Sequence, residues 1–219
     1  MLKYILTNFI VAISLPLLDL GLCLVYNKKA RWFQLHAAVN FVILTIIYKD
    51  VISLIDNPLN IRYIDNPIEI YYIFYLHIYH MMMFKNTMMD YFHHVVFVLL
   101  GALPVYYFYN FNIIRLSTFV GCGLPGLIEY TTLSLVKNEK MSSVSQKILI
   151  SNIYNYFRYP FTIFSASAIY IANQNQYTDI PNKSILFVIS MIFLNGSYFN
   201  KLTIENSIYH RIMNELNNK

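Results

Sequence analysis

Charge is scarce in this chain. Only 12% of its residues are Asp, Glu, Lys or Arg, against about 25% in an ordinary soluble domain. Hydrophobic residues make up 57% and the mean hydropathy is +0.46. This excludes a soluble enzyme, a disordered chain and a nucleic-acid-binding domain. The net charge of +5 does not alter that, because the basic residues sit mostly in loops between apolar segments. Cysteine is nearly absent. Cys23 and Cys122 both lie in apolar runs, so no disulfide framework is implied. The first apolar run lacks a convincing small-residue cleavage site and reads as a retained anchor. There is no internal repeat and no domain linker. The 219 residues leave room for one membrane domain and no large soluble one.

What is present is a series of apolar stretches near the ~20 residues that a bilayer-spanning helix needs. Seven are expected: about 4–25, 32–55, 67–84, 88–109, 113–136, 148–172 and 184–199. The last is the shortest, so the count is six or seven. The second is expected to fray near Lys49 and Asp50. Two Asp-Asn-Pro turns, at 56–58 and 65–67, separate the second and third. The expected fold is an all-α polytopic membrane bundle forming a single domain over 1–219.

Lys and Arg in the loops orient it. One side holds ten: Lys28, Lys29, Arg31, Lys85, Lys137, Lys140, Lys147, Lys201, Arg211 and Lys219. The other holds five: Lys3, Lys49, Arg62, Arg115 and Lys183. The richer side is expected to be cytosolic. Residues 201–219 then form a cytosolic tail. Ile204, Ile208, Ile212 and Leu216 would make one apolar face lying in the interface.

Ionisable residues inside apolar helices are expensive and each needs a reason. They are Asp19, His36, His77, His80, Asp90, His93, His94, Glu129 and Arg158. Counting from the nearest cytosolic Lys or Arg, His36, His80, His93, Glu129 and Arg158 lie roughly 7 to 17 Å deep at a ~1.5 Å rise per residue. Five helices thus place polar groups in one layer. On the fifth helix Arg115, Thr118, Cys122, Pro125, Glu129 and Thr132 recur at spacing three or four. On the sixth, Asn152, Asn155, Arg158, Thr162 and Ser165 do the same. Two such stripes face an interior cavity more readily than lipid. Asp90 precedes His93 and His94 by three and four residues, within reach of an imidazole across one turn. Glu129 and Arg158 either serve the site or neutralise each other.

Four segments, in order, resemble the TLC-domain family, which includes ceramide synthases and translocating-chain-associated membrane proteins. They are Arg31 to Ala37, with its basic-to-histidine helix start; Lys85 through the pair His93-His94; Ile128-Glu129-Tyr130-Thr131-Thr132; and Asn152 to Tyr159 with its aromatic-Arg end. The likeness covers roughly 31–170, within a core of about 31–200. The chain departs from the ceramide synthases at Asn86 and Pro125, where those enzymes carry acids. Smaller members have an Asp where this chain offers His77 or His80. The resemblance implies a barrel-like bundle of six or seven transmembrane helices, enclosing a lipid-sized cavity open to the cytosol. It also implies the endoplasmic reticulum or a related endomembrane. Where members are enzymes, they transfer a fatty acyl group from acyl-CoA to a lipid amine or hydroxyl. His93, His94 and Glu129 would then be catalytic. His36, His77, His80, Asp90, Asn155 and Arg158 would bind substrate. No cofactor or metal is required beyond acyl-CoA as co-substrate, and membrane lipids are the partners. A homo-oligomer stays open, as does a non-enzymatic lipid-binding, trafficking or membrane-composition protein on the same scaffold.

Other readings fit less well. A two-metal hydroxylase or desaturase needs more histidines and an H-x-x-H-H repeat. A fatty-acid elongase would carry a histidine where Asp90 stands. An ion transporter would show broken-helix signals.

Overall fold

The computed structural model of the chain describes residues 2–26 and 28–217, without the side chains of Tyr107 and Phe108. Lys219, counted above among the cytosolic basic residues, lies outside the described residues. Within them the chain is helical and has no strand; Tyr63 and Phe111 form an isolated antiparallel bridge. Helices satisfy every backbone group within one segment, as hydrocarbon demands.

Seven helical bodies follow in order among the described residues. α1 is Leu2–Val25. A 3-10 turn, Lys28–Ala30, leads into α2, Arg31–Asp56. α3 is Ile68–Met83. α4 is built of Met88–Phe92, His93–Ala102 and Leu103–Phe108. α5 is built of Ile113–Thr118, Phe119–Gly123 and Leu124–Lys137. α6 is built of Ser143–Ile153, Tyr154–Arg158 and Tyr159–Gln174. α7 is Asn182–Asn217. Five stretches are long and apolar enough to cross a membrane: Leu2–Val25, Lys28–Asp56, Met88–Tyr106, Ile113–Lys137 and Asn182–Asn217. α3 has only 16 residues, and α6 carries Gln146, Lys147, Asn152, Asn155 and Arg158; both fall outside that group.

The middle pieces of α4, α5 and α6 are π-helical. Each is followed two residues later by proline: Pro104, Pro125 and Pro160. A proline ring inside a helix clashes with the carbonyl four residues back and cannot donate to it. One extra residue in the turn moves that carbonyl away, and the helix continues.

Two expectations about helix ends change. α2 does not fray at Lys49 and Asp50 but runs to Asp56, because Asp50 is buried and held by Arg62 and Arg115. The tail is not a separate segment. α7 is one 36-residue helix, with no proline between Phe199 and Asn217 to stop it. Ile208, Ile212 and Leu216 are exposed on it, while Leu202, Thr203 and Asn206 face inward.

α2 packs against α3 and α5, α5 against α6, α6 against α7, α7 against α4, and α4 against α3. The order α2-α3-α4-α7-α6-α5 therefore closes into a ring. α1 lies outside it, against α2 and α3, and most of its apolar side chains are exposed. Asp19 attaches it: Arg31 Nε donates to Oδ1 at 2.8 Å, and the Tyr79 hydroxyl donates to Oδ2 at 2.6 Å. At the other end of α1, Tyr4 and Lys3 donate to Asp65 in the 57–67 loop. Those bonds, led by the one from Tyr4, hold the exposed Asp65 carboxyl below its ordinary range.

That same end of the ring carries a buried charge network. Arg115 of α5 is bidentate to the fully buried Glu69 of α3, at 2.6 and 2.9 Å, and also pairs with Asp50 of α2. Asn112 ties the α4–α5 turn to the same loop, its side chain accepting from Arg62 N and donating to Asn60 O. Two glycines set how closely the helices approach. A Cβ on Gly126 would lie 2.7 Å from Asn40 Nδ2, and one on Gly196 would lie 2.7 Å from Thr162 Cγ2. To admit either side chain, Asn40 or Thr162 would have to shift.

Candidate functional site

The ring encloses a cavity of about 400 Å³, within the usual range of small-ligand sites. Every helix from α2 to α7 contributes to its wall, and α1 does not. Among the lining side chains are His36, His77, Asp90, His93, Glu129 and Arg158. Six sequence-predicted residues from five helices thus converge on one space. Of its lining residues Met89 and Asn206 are exposed, whereas Val105 and Ile114 are buried.

At one side sits an imidazole cluster. His77 is 4.9 Å from His94 and 5.6 Å from His93, ring centre to ring centre; His80 is 4.8 Å from His94 and 5.8 Å from His36. All five intramembrane histidines therefore belong to one group. They divide into two layers. His36, His77 and His93 border the cavity, whereas His80 and His94 are buried behind it. Trp32 packs against His36 and His80, with centroids at 3.4 and 3.3 Å. His77 Nδ1 faces the Ile73 carbonyl at 2.5 Å, which makes that nitrogen the donor and leaves Nε2 as the acceptor. Nδ1 of His36, His80, His93 and His94 is buried without a partner. Among the described residues no histidine pairs with a carboxylate, and no group of three His, Cys, Asp or Glu is arranged to hold a metal ion.

Asp90 does not reach an imidazole. It closes a capping box at the start of α4, accepting from Thr87 N and Oγ1 at 2.7 Å. The spacing argument overlooked that Thr87 lies the same three residues away on the other side. Glu129 and Arg158 do not neutralise each other either. Glu129 Oε2 accepts from the Tyr154 hydroxyl at 2.6 Å. Arg158 donates from Nε to the Gly121 carbonyl and from Nη2 to Asn195 Oδ1, both at 2.8 Å. Gly121 is four residues before Pro125, which has no N–H to offer that carbonyl. The guanidinium also lies over the rings of Tyr154 and Phe199, at 4.4 and 5.5 Å.

Asn155 is a correction. It is exposed, as is Asn152, and neither lines the cavity. The expected α6 stripe assumed α-helical spacing, but the π turn at Tyr154–Arg158 inserts a residue and rotates everything before it. The buried stripe is instead Gln146, Ile150, Tyr154, Arg158 and Thr162, at a uniform spacing of four. On α5 the expected stripe holds along most of its length: Thr118, Cys122 and Glu129 line the cavity and Pro125 and Thr132 are buried, while Arg115 turns to Asp50 and Glu69.

Sequence reasoning missed Tyr130, Lys147, Tyr154, Asn195 and Phe199, all of which line the cavity. Tyr130 packs on His36 at 4.3 Å and Phe199 on His93 at 5.1 Å. Asn195 was legible as the amide that directly follows the apolar stretch 185–194.

No protein-family profile matches the chain, and no curated protein and no solved structure matches it.

Proposed function

We propose that this chain is an integral membrane protein of lipid metabolism, built on a TLC-like scaffold with seven spans, that transfers a fatty acyl group from acyl-CoA to a lipid amine or hydroxyl. One observation carries the reading: a cavity walled by six helices and bordered by three imidazoles, His36, His77 and His93. An uncharged imidazole is the form that takes the proton of the acceptor hydroxyl or amine as that group attacks the thioester carbonyl, and that returns it to the CoA thiolate as the C–S bond breaks. Asn195 and Arg158 offer donors to a developing oxyanion. The closed ring with paired histidines in its third member supports the likeness to TLC proteins, and an endomembrane location follows from that likeness alone.

A second reading has its own observation. Asp90 is spent on a helix cap and Glu129 on Tyr154, so no acid orients an imidazole. A lipid carrier or membrane-composition protein would need none.

Membranes carrying the protein, given radiolabelled oleoyl-CoA, separate the two. Acyl transfer expects a new labelled lipid absent from control membranes. Label that stays in acyl-CoA, with the protein still photo-crosslinked by a diazirine fatty acid, selects the carrier.

Topology has a direct test. Lys29 and Glu139 pair at one end of the ring, and Lys3 and Asp65 at the other, in keeping with the ten-against-five charge bias. A C-terminal tag is expected to be cleaved by protease added to sealed microsomes. Asn195, bonded to Arg158 inside the cavity, is expected to stay unglycosylated. A protected tag would reverse the orientation.

A further inference from the structure

We propose that Arg158 is the head-group site for a single-chain lipid carrying an anionic head, a carboxylate or a phosphate monoester; the inference rests on reading the cavity as a lipid site. Arg158 is only 5% exposed and lines the cavity. It has no carboxylate within ion-pair distance among the described residues. Arg31 and Arg115, by contrast, are both paired with buried acids. A buried cation without its counter-charge is strongly disfavoured. Two neutral acceptors and two aromatic faces offset part of that cost, yet none of them carries charge.

The fork of the guanidinium is also incompletely used. Nε and Nη2 are spent on Gly121 and Asn195, and the rings of Tyr154 and Phe199 fix its plane. Nη1 is buried and has no partner. An oxygen of a carboxylate or phosphate is the acceptor such a group is built to meet. The two acids in the wall, Glu129 and Asp90, accept from Tyr154 and Thr87 and form no ion pair with Arg158, so the open Nη1 is left for an oxygen from outside the chain.

The rest of the wall says what the anion is attached to. Ile43, Val98, Val105, Ile114 and Ile192 line the same space, and one narrow cavity of about 400 Å³ suits one chain rather than two. Phe199 contacts both the Arg158 guanidinium and the His93 ring. A head held at Arg158 therefore lies beside the imidazole that borders the cavity.

Trp32, the single tryptophan, packs on His36, which lines the cavity, and reports occupancy. Purified full-length protein in nonionic detergent is titrated with dibromostearic acid, with brominated lysophosphatidic acid and with dibromostearyl alcohol, and quenching is followed. The acid and the lysophosphatidate are expected to bind at least tenfold more tightly than the alcohol. Arg158→Gln is expected to remove that preference, so that within the variant the acid, the lysophosphatidate and the alcohol bind alike; Arg158→Lys keeps part of it. Inorganic phosphate is expected not to compete, and competition at equal concentration would overturn recognition of the lipid as a whole. Equal binding of acid and alcohol by the wild type overturns the anion site while the lipid cavity stands. Failure of all three lipids to quench removes both. A preference that survives in Arg158→Gln assigns the anion to another cation and overturns the proposal.

Discussion

Arg115→Met is expected to lower stability by about 3–5 kcal/mol, the usual result of removing one member of a buried ion pair. Arg115 joins three helices, reaching Asp50 on α2 and Glu69 on α3 from α5. Asp50 keeps Arg62 after the change. Glu69, with 0% exposure, keeps no cation. Most of the loss therefore falls on one stranded carboxylate. Adding Glu69→Gln to Arg115→Met is expected to restore more than half of it, because a neutral amide costs far less to bury than a charge. Thermal unfolding in detergent, followed by circular dichroism, measures both variants. A loss under about 1 kcal/mol for the single variant, the range of a surface pair, would show that water reaches the network.

The second large effect is functional and unequal. On the proposed reading, His93→Ala is expected to lower acyl transfer by about 100-fold or more, the scale of losing a general base. His94→Ala is expected to lower it by about tenfold or less, an indirect effect through packing against its neighbours. The two residues are adjacent in sequence, but only His93 borders the cavity and His94 packs behind it on His77 and His80. Initial rates of label transfer from oleoyl-CoA, normalised to folded protein, give the ratio. Equal losses, or a larger one at His94, would refute His93 as the reacting imidazole.

Much of the site was legible because membrane helices leave few reasons for a polar residue. Depth alone grouped His36, His80, His93, Glu129 and Arg158, and all but His80 line the cavity. What depth could not give was direction. Asp90 and Asn155 were placed by counting turns, and both counts failed for local reasons. Thr87 competed for Asp90 at the helix start, and a π turn shifted Asn155 outward. The second failure had a readable sign, since Pro160 follows that turn just as Pro104 and Pro125 follow theirs. The charge network around Glu69 was less accessible. Asp50 looked like a frayed end and Arg115 like a loop charge until three helices were brought together. Ring order was not legible, because neighbours along the chain are not all neighbours in space. α4 and α5 follow one another, yet α7 is the helix that α4 touches on the side away from α3.

That order has a bearing on how the protein is made. α7 stands between α4 and α6, and it is the last of the seven helices to be synthesised. Until it arrives, Gly101 lacks the Met191 side chain that fills its surface, and Arg158 lacks both Asn195 and the Phe199 ring. A nascent chain with only its first six helices is therefore a cleft open along one side, with a buried cation half bonded. Closing it is a single late step, and it is also the step that creates the cavity. Quality control that senses unpaired charge in the membrane would hold the chain until Asn182 and the residues after it had inserted. A ribosome that stops short of α7 would leave six helices with no interior between them.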